Sequence, residues 1–280
     1  MLRVLRMEAA VAKKQTNKNV IATAEILKKL HAYGYFGAQP WTTARKTSGK
    51  ALEAAIREYQ KFNGLEPTGV VGMRTAHVMS RRRCGLPDFN ITGAGDACKW
   101  PMNTITYYSQ LTLPGITNQQ AETAFDTAFS QWAAVCDISP VRVDSSANAN
   151  IFARSGKGRG VNLDNRGGTL AWSELPCGVA ENVQLDQMFD EAEEWSFDMA
   201  VAVICHELGH ALGLPHLNKG NLMAPYYDPN CKAPQKGDVE EIVKLYGKRK
   251  KTAQAKQVDD LKIMGTIMIN GKPYMLVPQF

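Results

Sequence analysis

Apolar residues recur at helical spacing in the first third of the chain. Ile21, Ala24, Ile26, Leu27 and Leu30 mark a helix over 21–33, closed by Gly34-Tyr35-Phe36-Gly37. A loop is expected over 38–49. Leu52, Ala55, Ile56, Tyr59 and Phe62 share one face of a second helix over 52–62, with Gly64 as its C-terminal stop. After a turn at Thr68-Gly69-Val70-Val71-Gly72, a third short helix is expected over 75–82. Three short helices predict a small bundle. The pattern then changes. Residues 104–109 alternate and are rich in β-formers, which predicts a strand. Ala121, Ala124, Phe125, Ala128, Phe129, Trp132 and Val135 line one face of a helix over 118–135. Further strands are expected over 140–143, 150–153, 168–172 and 181–185, with a Gly-rich polar loop over 155–168. Ser196 is placed to cap a helix over 197–212. A last helix over 238–246 ends at Gly247, and a hairpin over 264–277 turns at Asn270-Gly271. Residues 1–18 are polar and basic and read as a frayed lead-in.

The chain has 280 residues, enough for one or two domains, and its apolar fraction of 44% is ordinary for a globular protein. No run is long and apolar enough to span a bilayer. Residues 1–8 lack the apolar stretch of a signal peptide, so export would need a signal already removed or another route. Charge is unevenly placed. Residues 1–88 carry 16 Lys and Arg against 6 Asp and Glu, residues 89–247 carry 10 against 19, and residues 248–280 carry 7 against 2. A basic N-terminal part and an acidic central part attract each other if they pack together. Of six cysteines, Cys205 is expected to be a buried small residue. Cys98, Cys136, Cys177 and Cys231 could form two disulfides in an oxidising compartment, with connectivity left open.

The chemistry concentrates in His206-Glu207-Leu208-Gly209-His210-Ala211-Leu212-Gly213-Leu214-Pro215-His216. Histidines four apart on a helix share a face, so His206 and His210 can reach one metal ion. Gly213 can end the helix in a left-handed conformation, and the chain can return His216 as a third ligand. Three nitrogen ligands leave the fourth tetrahedral position of zinc open for water, the arrangement of a catalytic site. Glu207 can reach that water as general base. Three of the chain's five histidines stand in this motif, against a reading as scattered core or surface residues.

The motif is similar to the long zinc signature of the metzincin proteases, which set a methionine turn beneath the metal. Asn221-Leu222-Met223-Ala224-Pro225-Tyr226-Tyr227 follows, and Met223 fits that role. Met223 to Tyr227 resembles the matrix metalloproteinase (matrixin) version, so Pro225 and Tyr227 would line a specificity pocket that Ala202 faces from the helix. Leu217 stands where matrixins usually carry Ser or Thr. Upstream, Tyr59-Gln60-Lys61-Phe62-Asn63-Gly64-Leu65 with Thr68-Gly69 resembles the peptidoglycan-binding-like propeptide of matrixins. Arg83-Cys84-Gly85-Leu86-Pro87-Asp88 matches the cysteine-switch motif that ends it, with Arg82 where the family has Pro. The resemblance implies that Cys84 occupies the open zinc position in a latent form and that Arg83 pairs with Asp88. A thiolate suits this because it is a good zinc ligand. Without the proline the switch is expected to be looser.

The resemblance implies an α+β fold: a three-helix propeptide bundle over 1–88, then a metzincin catalytic domain over 89–247 with a twisted, mostly parallel sheet and three helices. A basic linker and hairpin tail would occupy 248–280, leaving no room for a hemopexin-like domain. The family's second, structural zinc is expected to be absent, because Lys157, Trp172 and Gln187-Met188 stand where its ligands would be. Calcium is expected at Asp164, Asp190 and Glu193, which offer hard oxygen ligands. The expected activity is zinc-dependent endopeptidase action on a protein or peptide lying extended along the 168–172 strand. The enzyme would be a monomer, secreted, with no nucleic-acid partner. Two rivals are a cell-wall-binding protein built on the N-terminal bundle and a catalytically dead scaffold. The Cys84 motif argues against the first, and Glu207 with its three histidines against the second.

Overall fold

A computed structural model of the chain describes residues 23–89, 98–156, 163, 166–177, 179–249, 265–269 and 272–276. The lead-in over 1–18 therefore lies outside the described residues, as do most of the 155–168 loop and the linker beyond residue 249.

Among the described residues, the N-terminal unit shows four helices where the periodicity predicted three: α1 (Thr23–Ala32), α2 (Trp41–Ala44), α3 (Gly49–Phe62) and α4 (Met73–Met79). The added α2 is one turn inside the expected loop. Four residues are too few for a periodic signal, and the turn is tied to the bundle by the buried Ala44 and by the Trp41 ring, 5.5 Å from that of His31. Leu30, Ala44, Ile56, Tyr59 and Met79 pack into one core. The buried Gln60 amide accepts from Gly69 N (2.8 Å) and donates to Val70 O (2.9 Å) and Thr75 Oγ1 (3.0 Å). It thereby holds the turn that reverses the chain between α3 and α4. Tyr226, from the distant second unit, completes this core.

Six strands form a sheet in the order β1-β5-β6-β4-β2-β3, where β1 is Arg83–Cys84, β2 Thr104–Gln110, β3 Ser139–Arg142, β4 Ile151–Gly156, β5 Thr169–Ser173 and β6 Leu185–Asp190. All neighbours are parallel except β5 and β6. Two positions correct the sequence reading. Arg83 and Cys84, to which the sequence pattern gave no element, form a strand added to the outer edge of β5. The strand expected over 181–185 lies instead at Leu185–Asp190, because Gln187 and Asp190 are polar yet buried and so interrupt the apolar pattern.

Helix α5 (Asn118–Val135) starts in a capping box, with Thr117 Oγ1 accepting from Gln120 N (3.2 Å) and Gln120 Oε1 accepting from Thr117 N (2.9 Å). It packs on α6 (Phe197–Ala211), and Trp132 Nε1 donates to Cys205 O (2.8 Å). Helix α7 (Lys236–Tyr246) ends at Gly247, as expected. The last carbonyls of a helix lack intrahelical donors. Here Trp100 Nε1 donates to Ala211 O (2.8 Å) and Tyr246 Oη to Leu212 O (3.0 Å), so the end of α6 is fixed from two sides.

Cys98 and Cys177 form a disulfide. The second possible bridge does not form. The Cys136 thiol, buried at the end of α5, donates to Trp132 O, and the Cys231 thiol is engaged in its own turn with Ala233 O. Strands β7 (Gly265–Ile269) and β8 (Lys272–Leu276) pair antiparallel with Ile269 opposite Lys272, and the turn residues Asn270 and Gly271 lie outside the described residues.

Candidate metal centre

Helix α6 begins at Ser196, whose Oγ accepts from Met199 N (3.2 Å). Every residue from Met199 to Ala211 is buried, so the helix runs through the middle of the second unit. Its polar side chains His206, Glu207 and His210 face no solvent and converge on one another. The helix ends in a Schellman pattern: Gly213 N donates to His210 O (2.8 Å) and Leu214 N to Gly209 O (2.9 Å). Gly213 has φ +104°, and a Cβ there would lie 1.8 Å from Cys98 O, so the turn accepts no other residue unstrained. The reversal returns His216 to the first two histidines.

Each imidazole uses Nδ1 to donate. His206 Nδ1 meets Leu222 O (2.8 Å), His210 Nδ1 meets Leu214 O (2.7 Å) and His216 Nδ1 meets Asp88 Oδ1 (3.1 Å). All three Nε2 atoms are therefore lone-pair donors to a cation. His206 Nε2 and His210 Nε2 lie 3.1 Å apart with no proton to share, and the buried His216 Nε2 has no protein partner among the described residues. Cys84 Sγ lies 3.5 Å from His210 Nε2, and the four ligand atoms are all within 4.8 Å of one another. A tetrahedral zinc shell separates two nitrogens by about 3.3 Å and nitrogen from sulfur by about 3.5 Å. The group fits a metal ion, and zinc in particular.

Burial sets the protonation of these groups. It pushes His206 down to about 3 and His210 well below the usual imidazole value, in each case helped by the neighbouring rings. His216 is also lowered, mainly by burial, with Asp88 opposing. Burial pushes Glu207 up to about 8 and Cys84 well above the usual thiol, the latter helped by Glu207. Without a cation the site is thus an array of neutral groups. A divalent ion reverses that preference and favours the thiolate. Glu207 Oε2 accepts from Cys84 Sγ (3.6 Å), while its Oε1 is buried without a partner among the described residues.

Cys84 comes from a segment lying across a cleft. Arg83 N donates to Gly168 O (3.1 Å) and Gly85 N to Ala171 O (2.8 Å) on one rim; Cys84 N donates to Pro225 O (2.9 Å) on the other. Asp88, buried, pairs with Arg83 Nη2 (2.6 Å) and accepts from Tyr35 Oη (2.8 Å). Burial alone would raise the Asp88 carboxyl, but Arg83 and His216 outweigh it and hold it well below the usual carboxylate range. The Arg83 guanidinium sits 3.8 Å from the Tyr33 ring centroid and 5.1 Å from that of Tyr226. Arg82 is not left loose. Its Nη1 lies 3.7 Å from Glu193 Oε2, its guanidinium lies over Tyr227, and its carbonyl accepts from Tyr227 N (3.1 Å).

Ala202, Pro225 and Tyr227 line a recess beside Cys84 and His206. Met223 is fully buried against α6, and a Cβ on Gly209 would lie 2.3 Å from its Sδ, so this contact depends on the glycine. Sequence reasoning passed over Asp238. Its carboxylate accepts from Leu222 N (2.7 Å), Met223 N (3.0 Å) and Gln235 N (2.7 Å), so one side chain caps α7 and holds the turn that orients His206. The available signal was an acidic residue in the first turn of a helix, which reads as an ordinary cap. Of the expected calcium ligands, Asp164 lies outside the described residues. Asp190 and Glu193 are buried, and Glu193 Oε1 accepts from Gly167 N.

Comparison with known proteins agrees with this geometry. Residues 99–247 match the family model described as Matrixin, and residues 21–79 match one described as a putative peptidoglycan binding domain. The chain is 32% identical over 229 residues to a rat macrophage metalloelastase, covering 77% of this chain and 48% of the relative. It is 34% identical over 207 residues to human matrix metalloproteinase-20, covering 70% and 42%. It is 32% identical over 265 residues to metalloendoproteinase 1-MMP of Arabidopsis thaliana, covering 83% and 71%. The chain thus spans less than half the length of the first two.

Proposed function

The chain belongs to the matrixin family, and from that membership we propose that it is a zinc-dependent endopeptidase made as a zymogen, with Cys84 closing the metal site. The observation that carries the reading is the meeting of Cys84 Sγ with His206, His210 and His216 in a cleft that also holds Glu207. His206, His210 and His216 would hold the zinc. When bound, the ion supplies Lewis-acid activation of water and of the scissile carbonyl. Glu207 takes the proton of the attacking water and hands it to the leaving amine. A substrate would lie extended between β5 and residues 225–227, using the backbone groups of Gly168, Ala171 and Pro225 that Arg83 to Gly85 occupy here. The recess beside Ala202 would take the side chain on the carboxyl side of the cut. Calcium at Asp164, Asp190 and Glu193, and export to an oxidising compartment suited to the Cys98–Cys177 bridge, belong to the same reading.

Glu207→Gln tests the base assignment. The amide keeps the shape and loses the proton acceptor, so peptide hydrolysis by the activated enzyme should fall by at least about 1,000-fold. Elemental analysis should still find zinc. Loss of zinc with the fold intact would contradict the role given to Glu207.

A further inference from the structure

We infer that Asp88 is a positioning residue for the third metal ligand, so that the N-terminal unit completes the outer shell of the metal site as well as its fourth coordination position. The inference rests on the zinc reading above. Its ground is the 3.1 Å contact between Asp88 Oδ1 and His216 Nδ1, with both side chains fully buried. The other two histidines are oriented by carbonyls of the second unit itself, Leu222 O and Leu214 O. His216 alone, among these three, takes its partner from the N-terminal unit. That partner is a carboxylate fixed from behind by Arg83 and Tyr35. A carboxylate on Nδ1 fixes the tautomer that leaves Nε2 for the metal and raises the ring's strength as a ligand. Asp88 is in turn fixed to the bundle by its own backbone, its N donating to Tyr33 O (2.9 Å). Departure of residues 23–89 would therefore strip His216 of its orienting group. The latent chain should hold zinc more tightly than Cys84 coordination alone explains.

The test is zinc transfer from the full chain to an excess of a chromogenic chelator, in wild type, D88N, D88E and Y35F. The Asn amide keeps the shape, carries no charge, and offers one acceptor oxygen to the donors on Arg83, Tyr35 and His216. Zinc should leave D88N about 10-fold faster or more. Y35F removes another contact of the same carboxylate and should stay within about twofold of wild type, while D88E should recover part of the loss. In the cobalt-substituted D88N chain the thiolate-to-cobalt absorption should persist, showing that Cys84 is still bound. D88N release within about twofold of wild type overturns the inference. So does faster release with the thiolate band lost, because Asp88 would then act through the switch segment. Should D88N fail to fold, 15N spectra of the histidines in the unmutated chain decide. His216 must be protonated at Nδ1 and its signal must move when the chain is cut between residues 89 and 98. Protonation at Nε2, or an unmoved signal, overturns the inference. A chain that takes up no zinc overturns the metal reading itself; zinc uptake with an unaffected D88N overturns this inference alone.

Discussion

Ala202 shows how much a single position settles. It lies one turn before His206, and its methyl leaves open the recess that Pro225 and Tyr227 close on the other side. An apolar recess favours large apolar groups, because each Å² of apolar surface removed from water is favourable by about 25 cal/mol. A peptide-library profile of the activated enzyme should show large aliphatic or aromatic residues on the carboxyl side of the cut. Ala202→Phe should shift that preference to small residues, and an unchanged profile would remove Ala202 from the pocket wall. At this scale the sequence was most legible where chemistry demands a fixed spacing. His206, Glu207 and His210 follow from helical periodicity, and His216 from the glycine that turns the chain. Partners brought together by tertiary folding were not legible: Asp88 with His216, Tyr226 with Tyr59, Arg82 with Glu193. Arg82 is instructive. Its replacement of a proline reads on paper as a lost constraint, yet the longer side chain reaches a buried carboxylate that a proline ring could not.

Among the elements, α6 sets the precision of the site. Its start and its stop have different costs. Ser196→Ala removes one cap and should destabilise the fold by about 1 kcal/mol, read by chemical denaturation, with zinc content unchanged. Gly213→Ala meets both a positive φ and the Cys98 carbonyl, and should cost about 3 kcal/mol or more and lower zinc content. Equal costs for the two would mean that the turn, and with it His216, is less constrained than its geometry indicates. Helices α5, α6 and α7 were legible because their apolar faces run for three turns or more. Strand β1 was not, since two residues carry no alternation and Arg83–Cys84 become a strand only by lying against β5. Strand β6 was displaced on paper because buried Gln187 and Asp190 look like surface residues.

Across the whole molecule, the basic N-terminal unit and the acidic second unit meet, among the described residues, through few direct ion pairs. Arg82 with Glu193 is one, half-exposed on the arginine side. Tyr226, which hydrogen-bonds Tyr59 Oη at 2.6 Å, and the strand β1 contribute contacts that salt does not screen. Raising ionic strength from about 0.05 to 0.5 M should therefore speed mercurial activation several-fold without itself releasing activity. Full activity in high salt alone would show that charge, rather than the metal–sulfur contact, maintains latency. The central claim is that Cys84 is the group that closes the metal site. It is tested most directly by comparing uncut wild type and uncut Cys84→Ser on one peptide at low salt, with zinc content measured in both. The serine hydroxyl is a far weaker zinc ligand than a thiolate. The variant should cleave at least about 100-fold faster than wild type at equal zinc content. Equal rates in the two zinc-loaded chains would contradict the account.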